Sequence, residues 1–549
     1  MKQPDIISAT QEQLDELLAL AKAASFPQPQ YDLLASVLGT FIYVMQSLQN
    51  AKLSLKRFRH MLFGARTENK ANVLQAMGEA AESRQGPSSD AGDMAVADAQ
   101  ESAGAALDNK VIKGHGRNGA AAYPGAPVVD IRLTDLESGD ICPECLNGKV
   151  YSSPPKTIVK VLGQAPLAAT IYLLARLRCR LCDAIFTASM PQGVSASKYD
   201  PSCASMLALL RYGSGMPLQR VEKLQACLHM PLPDATQWEI VEAAAEGAGH
   251  AYEEMIRQAA QGEVLHNDDT PARILALMGE RRKQAEVRGE DLPTSKAINT
   301  SGIVARLGQH KVVLFFTGPA HAGTNLAQVL AHRAKELRHP IQMCDALAAN
   351  VKGDFDSILS LCLAHSRRKF VEVASNFPTS CRHVIYVFAS IYQHDDHARQ
   401  AAMTDLQRLQ YHRAHSRPLM LDLKQWMETQ LHEKQVEANG GLGQAMRYML
   451  KHWKGLTLFL RKAGAPVDNN IAERALKKAI IHRKNSLFYR SQHGADVGDI
   501  FMSLIYTCES CGSNPFAYLQ ALQVHATDVE DHPQQWLPWN YHVALAGMT

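Results

Sequence analysis

Two aspartates each follow a short apolar run: Asp268 after Val264-Leu265-His266-Asn267, and Asp345 after Ile341-Gln342-Met343-Cys344. One glutamate, Glu473, lies in Val467-Asp468-Asn469-Asn470-Ile471-Ala472-Glu473-Arg474. These are the residue types that phosphoryl transfer with two divalent cations requires. Such ions sit roughly 4 Å apart, hold the attacking and leaving oxygens in line, and need hard oxygen ligands from rigid, separate elements. Two strand ends and one helix, capped by Asp468 or Asn469, would supply them. A lone acid is ordinarily a solvated charge or a helix cap. The surroundings of Glu473 are different: residues 461 to 490 hold Arg461, Lys462, Arg474, Lys477, Lys478, Arg483, Lys484 and Arg490 against Asp468 and Glu473, a local +6. That imbalance suits a phosphate-binding surface, since a solvated helix face usually mixes signs.

The elements that must position these acids are legible around them. Strand-like runs at Val264 to Asn267, Ser301 to Ala305, Lys311 to Phe316 and Ile341 to Cys344, with a helical stretch from Pro319 to Leu337, give the order strand, hairpin, helix, strand. This predicts a ribonuclease-H-like core. Helical segments from Leu361 onward fill the gap before Glu473. Strand alternation lets only one of Asp268 and Asp269 face the site.

Cys142-Pro-Glu-Cys145 and Cys179-Arg-Leu-Cys182, with 33 residues between them, suit a zinc-ribbon-like segment whose four thiolates bind one structural Zn²⁺. Cys508-Glu-Ser-Cys511 ends a helical stretch without a nearby partner pair and reads as structural. Between Ser202 and Gly247, short helices broken by Gly213, Gly215, Pro217, Pro231 and Pro233 form a helix-turn-helix-like array, either DNA-binding or plain scaffold. Near the N-terminus, Leu34, Phe41, Leu48, Leu55 and Leu62, with Val37, Val44, Ala51 and Phe58, draw an a/d seam. It would close on a second copy, on the helix near Gln11 to Ala24, or, as one amphipathic helix, on a neighbouring domain. The stretch from Gly78 to Asn109 is too polar and small to offset its ordering entropy and reads as a linker.

With 549 residues, 46% hydrophobic and 20% charged, the chain is long enough for several cores. A net charge of +3 means that a polyanion must be met by a local surface, not by the whole molecule. Eleven cysteines without a secretory leader pattern point to a reduced cytoplasmic setting, and no apolar run is long enough for a membrane span. The expected fold is multidomain α/β with mainly helical additions. Residues 1–75 form an N-terminal coiled-coil-like helical segment, 76–122 a linker, 123–198 the zinc segment and 199–258 the helical DNA-binding segment. Residues 259–500 form the catalytic core with a helical insertion at 371–465, and 501–549 a C-terminal helical segment.

Several blocks resemble the insertion-sequence-66 family of bacterial transposases: His266-Asn267-Asp268-Asp269-Thr270, Cys344-Asp345 and Cys362-Leu363-Ala364-His365-Ser366-Arg367-Arg368-Lys369-Phe370. The most specific are Asp468 to Ala475, Arg483-Lys484-Asn485 with Leu487-Phe488, and Asn514-Pro515 with Tyr518-Leu519. The resemblance implies that Asp268, Asp345 and Glu473 are a DDE triad binding Mg²⁺ or Mn²⁺. The family usually has Glu after its first aspartate, where this chain has Asp269; the match favours Asp268 as the metal-facing residue. Cys511 is a second departure, to which no function attaches.

The activity implied is cleavage at the terminal inverted repeats of an insertion element, followed by attack of the freed 3′-hydroxyl on target DNA. Arg474, Lys477, Lys478, Arg483 and Lys484 would hold phosphates, and His365, Arg367 and Arg368 would position the DNA. The implied partners are double-stranded DNA, a second protomer in a homodimer or higher oligomer, and small accessory proteins of the same element. Two other functions use the same residues: a non-catalytic DNA-binding regulator derived from a transposase, and a metal-dependent nuclease that cuts without joining.

Overall fold

The computed structural model describes residue 121 and residues 128–548, apart from 132–134, 136, 146, 155–156, 159–164, 179, 181–184, 195–196, 291, 293–296 and 352–355. The N-terminal seam, the linker, Cys179 and Cys182 therefore lie outside the described residues.

A short antiparallel hairpin, β1 (Arg176–Arg178) and β2 (Ile185–Thr187), precedes three helices: α1 (Pro201–Ala208), α2 (Leu218–Cys227) and α3 (Asp234–Ala260). The breaks fall at Gly213 to Pro217 and at Pro231 to Pro233, where the sequence calls for them. α3 is not short. It runs for 27 residues straight through Gly247 and Gly249, and its buried face is largely Ala245, Ala248, Ala251 and Ala259. Such small side chains let it lie close against the sheet, and Leu207, Tyr212, Val221 and Val241 join one core with Leu265, Ile303 and Phe315. The helical array is thus built into the same body as the sheet.

That sheet has five strands: β3 (Val264–Pro271), β4 (Asn299–Leu307), β5 (His310–Gly318), β6 (Ile341–Cys344) and β7 (Ile358–Leu361), in the order β5-β4-β3-β6-β7. β3, β4 and β5 form an antiparallel meander, while β6 and β7 run parallel to β3 and to each other. The β4–β5 turn is two residues, opened by Gly308 at φ 56°, a conformation that glycine adopts without a steric penalty. β4 and β5 are buried along most of their length, polar Thr300, Ser301 and Thr317 included, because helices cover both faces.

The register fixes which face is which. Asp268 sits opposite Gly302, and Asp269 opposite Ser301, so each pair shares a face and the two pairs point to opposite sides. On the Gly302 side lies α12 (Asn470–Ser486); a Cβ at position 302 would stand 2.9 Å from Leu476 Cδ2. On the Ser301 side lies α5 (Ala322–Leu330), whose Asn325 Nδ2 donates to Ser301 Oγ at 2.7 Å.

Between β3 and β4 stands α4 (Gly279–Val287), and α6 (Ala348–Val351) follows β6. After β7 come α7 (Leu363–Val373) and a long helical hairpin of α8 (Pro378–Gln400) and α9 (Asp405–His432). A capping box at Thr404 and Gln407 starts α9, and Arg408 and His412 clamp half-buried Asp395 across the hairpin. α10 (Gly441–Lys451) and α11 (Trp453–Leu456) return the chain to β7, where Gly455 packs on Leu361.

After α12, α13 (Gln492–Cys511) crosses the expected boundary at 500 and lies along β5. One column of its side chains closes the outer edge of that strand: Asp499 accepts from the N–H of Thr317, Ser503 from that of Phe315 at 2.9 Å, and Thr507 from that of Val313 at 3.0 Å. α13 stops at Gly512, left-handed at φ 74°. α14 (Pro515–Val524), α15 (Ala526–Asp531) and α16 (Tyr541–Met548) complete the chain around buried Trp536 and Tyr518. No helix among the described residues is long and apolar enough to cross a membrane.

Candidate active site

β3 and β6 are parallel neighbours with His266 opposite Met343. Two residues further along each strand stand Asp268 and Asp345, at one level. A single amide joins them: Asn350 Nδ2, on α6, is 2.8 Å from Asp345 Oδ1 and 3.4 Å from Asp268 Oδ1. Asn350 is fully buried, and its backbone carbonyl is held by Asn267 Nδ2 at 3.0 Å and Gln342 Nε2 at 2.8 Å. The amide is therefore fixed in the sheet before it reaches the acids.

Glu473 comes from the first turn of α12, over the same face as Asp268. Its Oε1 is buried without a hydrogen-bond partner and lies 3.7 Å from both His365 Nε2 and Arg368 Nη2 of α7. The start of α12 is anchored from below. Asp468 Oδ1 accepts from Asn470 N at 3.1 Å, while Asn469 turns inward. Its Nδ2 donates to the carbonyl of Asn267 at 3.1 Å, so its Oδ1 is left to accept from His266 Nδ1 at 3.0 Å. Burial pushes the His266 imidazole down to about 4, which keeps it neutral in that role.

Asp268 carries the electrostatic signature of the cluster. Burial, reinforced by the negative charges of Asp345, Glu473 and Asp269, pushes its carboxyl up to about 7, against the opposing hydrogen bond from Asp269 N. Asp269 faces the other way: its Oδ1 accepts from Ser301 Oγ at 2.7 Å, and its Oδ2 from Ala322 N and His321 Nδ1, both at 3.0 Å. It caps α5. Among the described residues, no three His, Cys, Asp or Glu side chains stand close enough together to ligate one metal ion. The three acids feel one another's charge, and two share an amide, but they do not form a closed cage.

The basic residues divide. Arg474, Lys477 and Lys484 are exposed along one stripe of α12. Lys478 instead pairs with Glu509 at 3.3 Å and covers the Tyr506 ring, and Arg483 reaches back to Thr270 Oγ1 at 3.2 Å and to the Pro271 carbonyl. Those two cations brace the fold. Arg367 and Arg368 are half-buried on α7. In the cysteine segment, Cys142 N donates to Gly148 O at 2.7 Å and Gly148 N to Cys145 Sγ at 3.4 Å. The N–H groups of Asn147 and Gly148 pull the Cys145 thiol below its ordinary value.

Sequence reasoning missed Asn350, Gln342 and the inward roles of His266 and Asn267. The available signal was amide and imidazole side chains in otherwise apolar strands, where each must find a buried partner.

The model of the "Transposase IS66 family" matches residues 196–497, a stretch that begins before α1 and ends inside α13. Among curated relatives, "Uncharacterized protein y4jD" of Sinorhizobium fredii (strain NBRC 101917 / NGR234) is 31% identical over 194 residues, 34% of this chain and 37% of that protein. This chain thus spans little more than a third of y4jD. "Uncharacterized protein y4hP" of the same strain is 23% identical over 526 residues, 90% of this chain and 89% of that protein. Since the family match takes in more than half of the sequence and contains the whole sheet, the three acids and the helix that carries Glu473, the chain belongs to the IS66 family of transposases.

Proposed function

We propose that the chain is a DDE transposase that binds the terminal inverted repeats of an insertion element, cuts the DNA there and joins the freed end to a target. The observation that carries this reading is the levelled pair Asp268 and Asp345 under one amide, with Glu473 over the same face. The strand order, with a three-stranded meander joined to two parallel strands, supports a ribonuclease-H-like core; α8 to α11 supply its helical insertion. Four-cysteine zinc binding by Cys142, Cys145, Cys179 and Cys182 is supported by the N–H···S contact at Cys145.

The donor set fits a hard divalent cation: three carboxylates, one with an orphaned buried oxygen and one whose ionisation its neighbours oppose. Mg²⁺ or Mn²⁺, held by Asp268, Asp345 and Glu473, would activate the attacking oxygen and neutralise the leaving one. The chain's own contribution is placement. Asn350 spaces the two aspartates, Asn469 and neutral His266 fix the helix that delivers Glu473, and His365 and Arg368 flank its carboxylate. Arg474, Lys477 and Lys484 give a duplex running along α12 a row of phosphate contacts. The protein acts as a homodimer or higher oligomer, and accessory proteins of the same element take part in the cytoplasm.

The test uses purified protein and a duplex carrying the element's end. Asp345→Ala should abolish cutting while leaving duplex binding within about twofold; equal cutting by the variant would refute the assignment. A pre-cut end separates transposase from nuclease, because a pure nuclease yields no joined product.

A further inference from the structure

α12 ends in a turn that is costly and exposed. Leu487 adopts φ 68°, ψ −42°, and Phe488 N donates to Ser486 O at 2.8 Å across it. This is a γ-turn of the rare hand, a strained conformation for a residue with a Cβ. Leu487 is 58% and Phe488 39% exposed, so the strained backbone holds two large apolar side chains in water. The turn is also rigidly mounted. Leu487 N donates to Arg483 O at 2.8 Å on one side. On the other, Tyr489 N donates to Arg273 O, Leu275 N donates to Tyr489 O, and the Tyr489 ring stacks on His482 at 5.1 Å.

Cations surround the tip. Arg273 and Arg483 line the same small recess as Leu487 and Phe488, and Lys484 and Arg490 are exposed beside it. A flat apolar surface rimmed by negative charge complements such a tip, and a base step bordered by phosphates is that surface. The exposed stripe Arg474, Lys477, Lys484 leads along α12 from Glu473 to the turn.

We propose that Leu487 and Phe488 form an apolar wedge that the chain presses between bases of the bound duplex, away from the acids. This deepens the DNA-cutting reading and rests on it. Fourteen helical residues at 1.5 Å each separate Glu473 from the tip by about 20 Å, or about six base-pair steps at 3.4 Å. The wedge therefore opens the duplex about six steps from the cut.

The experiment compares a fully paired element-end duplex with duplexes mismatched at single steps, and follows 2-aminopurine fluorescence at each step. The full chain should bind DNA mismatched about six steps from the cut about tenfold tighter than paired DNA, because unstacking is already done. Fluorescence should rise at the same step. Leu487→Ser with Phe488→Ser should bind both duplexes equally and lose the rise. Leu487→Gly, which accepts the turn without strain and keeps Phe488, should retain it; this guards against a folding defect in the double variant. A rise that survives in the double variant, or no rise at any step in wild-type protein that binds and cuts the duplex, overturns the wedge and spares the cutting reading. Loss of self-association by the double variant with the rise intact reassigns the tip to a protein contact. Failure of the wild-type chain to bind the duplex at all sinks both.

Discussion

Replacing Asp268 by Asn removes a charge that the apo fold opposes, so the metal-free variant should be the more stable protein at alkaline pH. In the folded chain this carboxyl is pushed from an ordinary 3.8 up to about 7, chiefly by burial and then by Asp345, Glu473 and Asp269. A group whose folded value is raised contributes stability that is complete below the unfolded value, here near 3.8, and lost as pH rises through about 7. At pH 8 the ionised carboxylate therefore costs up to about 4 kcal/mol relative to a neutral side chain, at about 1.4 kcal/mol per unit. Asn keeps the shape and still accepts from Asn350 and from the Asp269 N–H, so little else changes. Differential scanning calorimetry of chelator-treated protein should show Asp268→Asn melting a few degrees higher at pH 8, with the gap shrinking to less than half at pH 5, where the loss is about 1.7 kcal/mol. Asp499, buried and pushed up to about 8, is present in both and cancels. Added Mg²⁺ should raise the melting temperature of the wild type at pH 8 and leave the variant unmoved. A variant that melts below wild type at pH 8 would refute the picture of an electrostatically frustrated pocket.

Two further substitutions test how Glu473 is delivered. Gly302→Val drives a branched side chain into Leu476, whose Cδ2 already lies 2.9 Å from an ideal Cβ; it should cost about 1–3 kcal/mol in thermal melts and lower cutting more than binding. Asn469→Ala strands His266 and the Asn267 carbonyl in the interior; denaturant titration should read a loss of about 1–3 kcal/mol, with cutting again falling further than duplex affinity.

The hairpin strands were legible from Ile303-Val304 and from Val312 to Phe316, β-branched and aromatic runs with few other uses, and β3 and β6 from a short apolar start, Val264-Leu265 or Ile341, that leads to an acid. β7 was not: Ile-Leu-Ser-Leu is too short to declare itself beside a helix, and it is a strand because β6 offers it a parallel neighbour. The helix expected over Pro319 to Leu337 is trimmed to Ala322–Leu330 by tertiary contacts. Asp269, half a sheet away in sequence, caps its start, and Arg333 bonds the carbonyls of Ala260 and Gly262 just beyond its end. The same contact explains the departure at position 269: an acid that looks like a second metal candidate is occupied as a cap on the far face. The expected basic surface is thinner than its composition, since Arg483 turns back onto Thr270 and Pro271 and Lys478 is neutralised by Glu509, partners that a count of charges does not reveal. Asn350 had no signal of its own, because its role exists only once β3 and β6 lie side by side.

The column Asp499, Ser503 and Thr507 also sets the order in which this chain is able to finish folding. β5 is complete at residue 318, but the groups that satisfy its outer N–H row lie 182 to 194 residues further on. During synthesis at about 5–20 residues per second, that row stays open for roughly ten to forty seconds, a template for any extended strand nearby. A chain that ends before residue 499 keeps it open permanently. The last tenth of the sequence therefore shields β5 from other polypeptides, and a truncated product of this gene is more a hazard for aggregation than a smaller working protein.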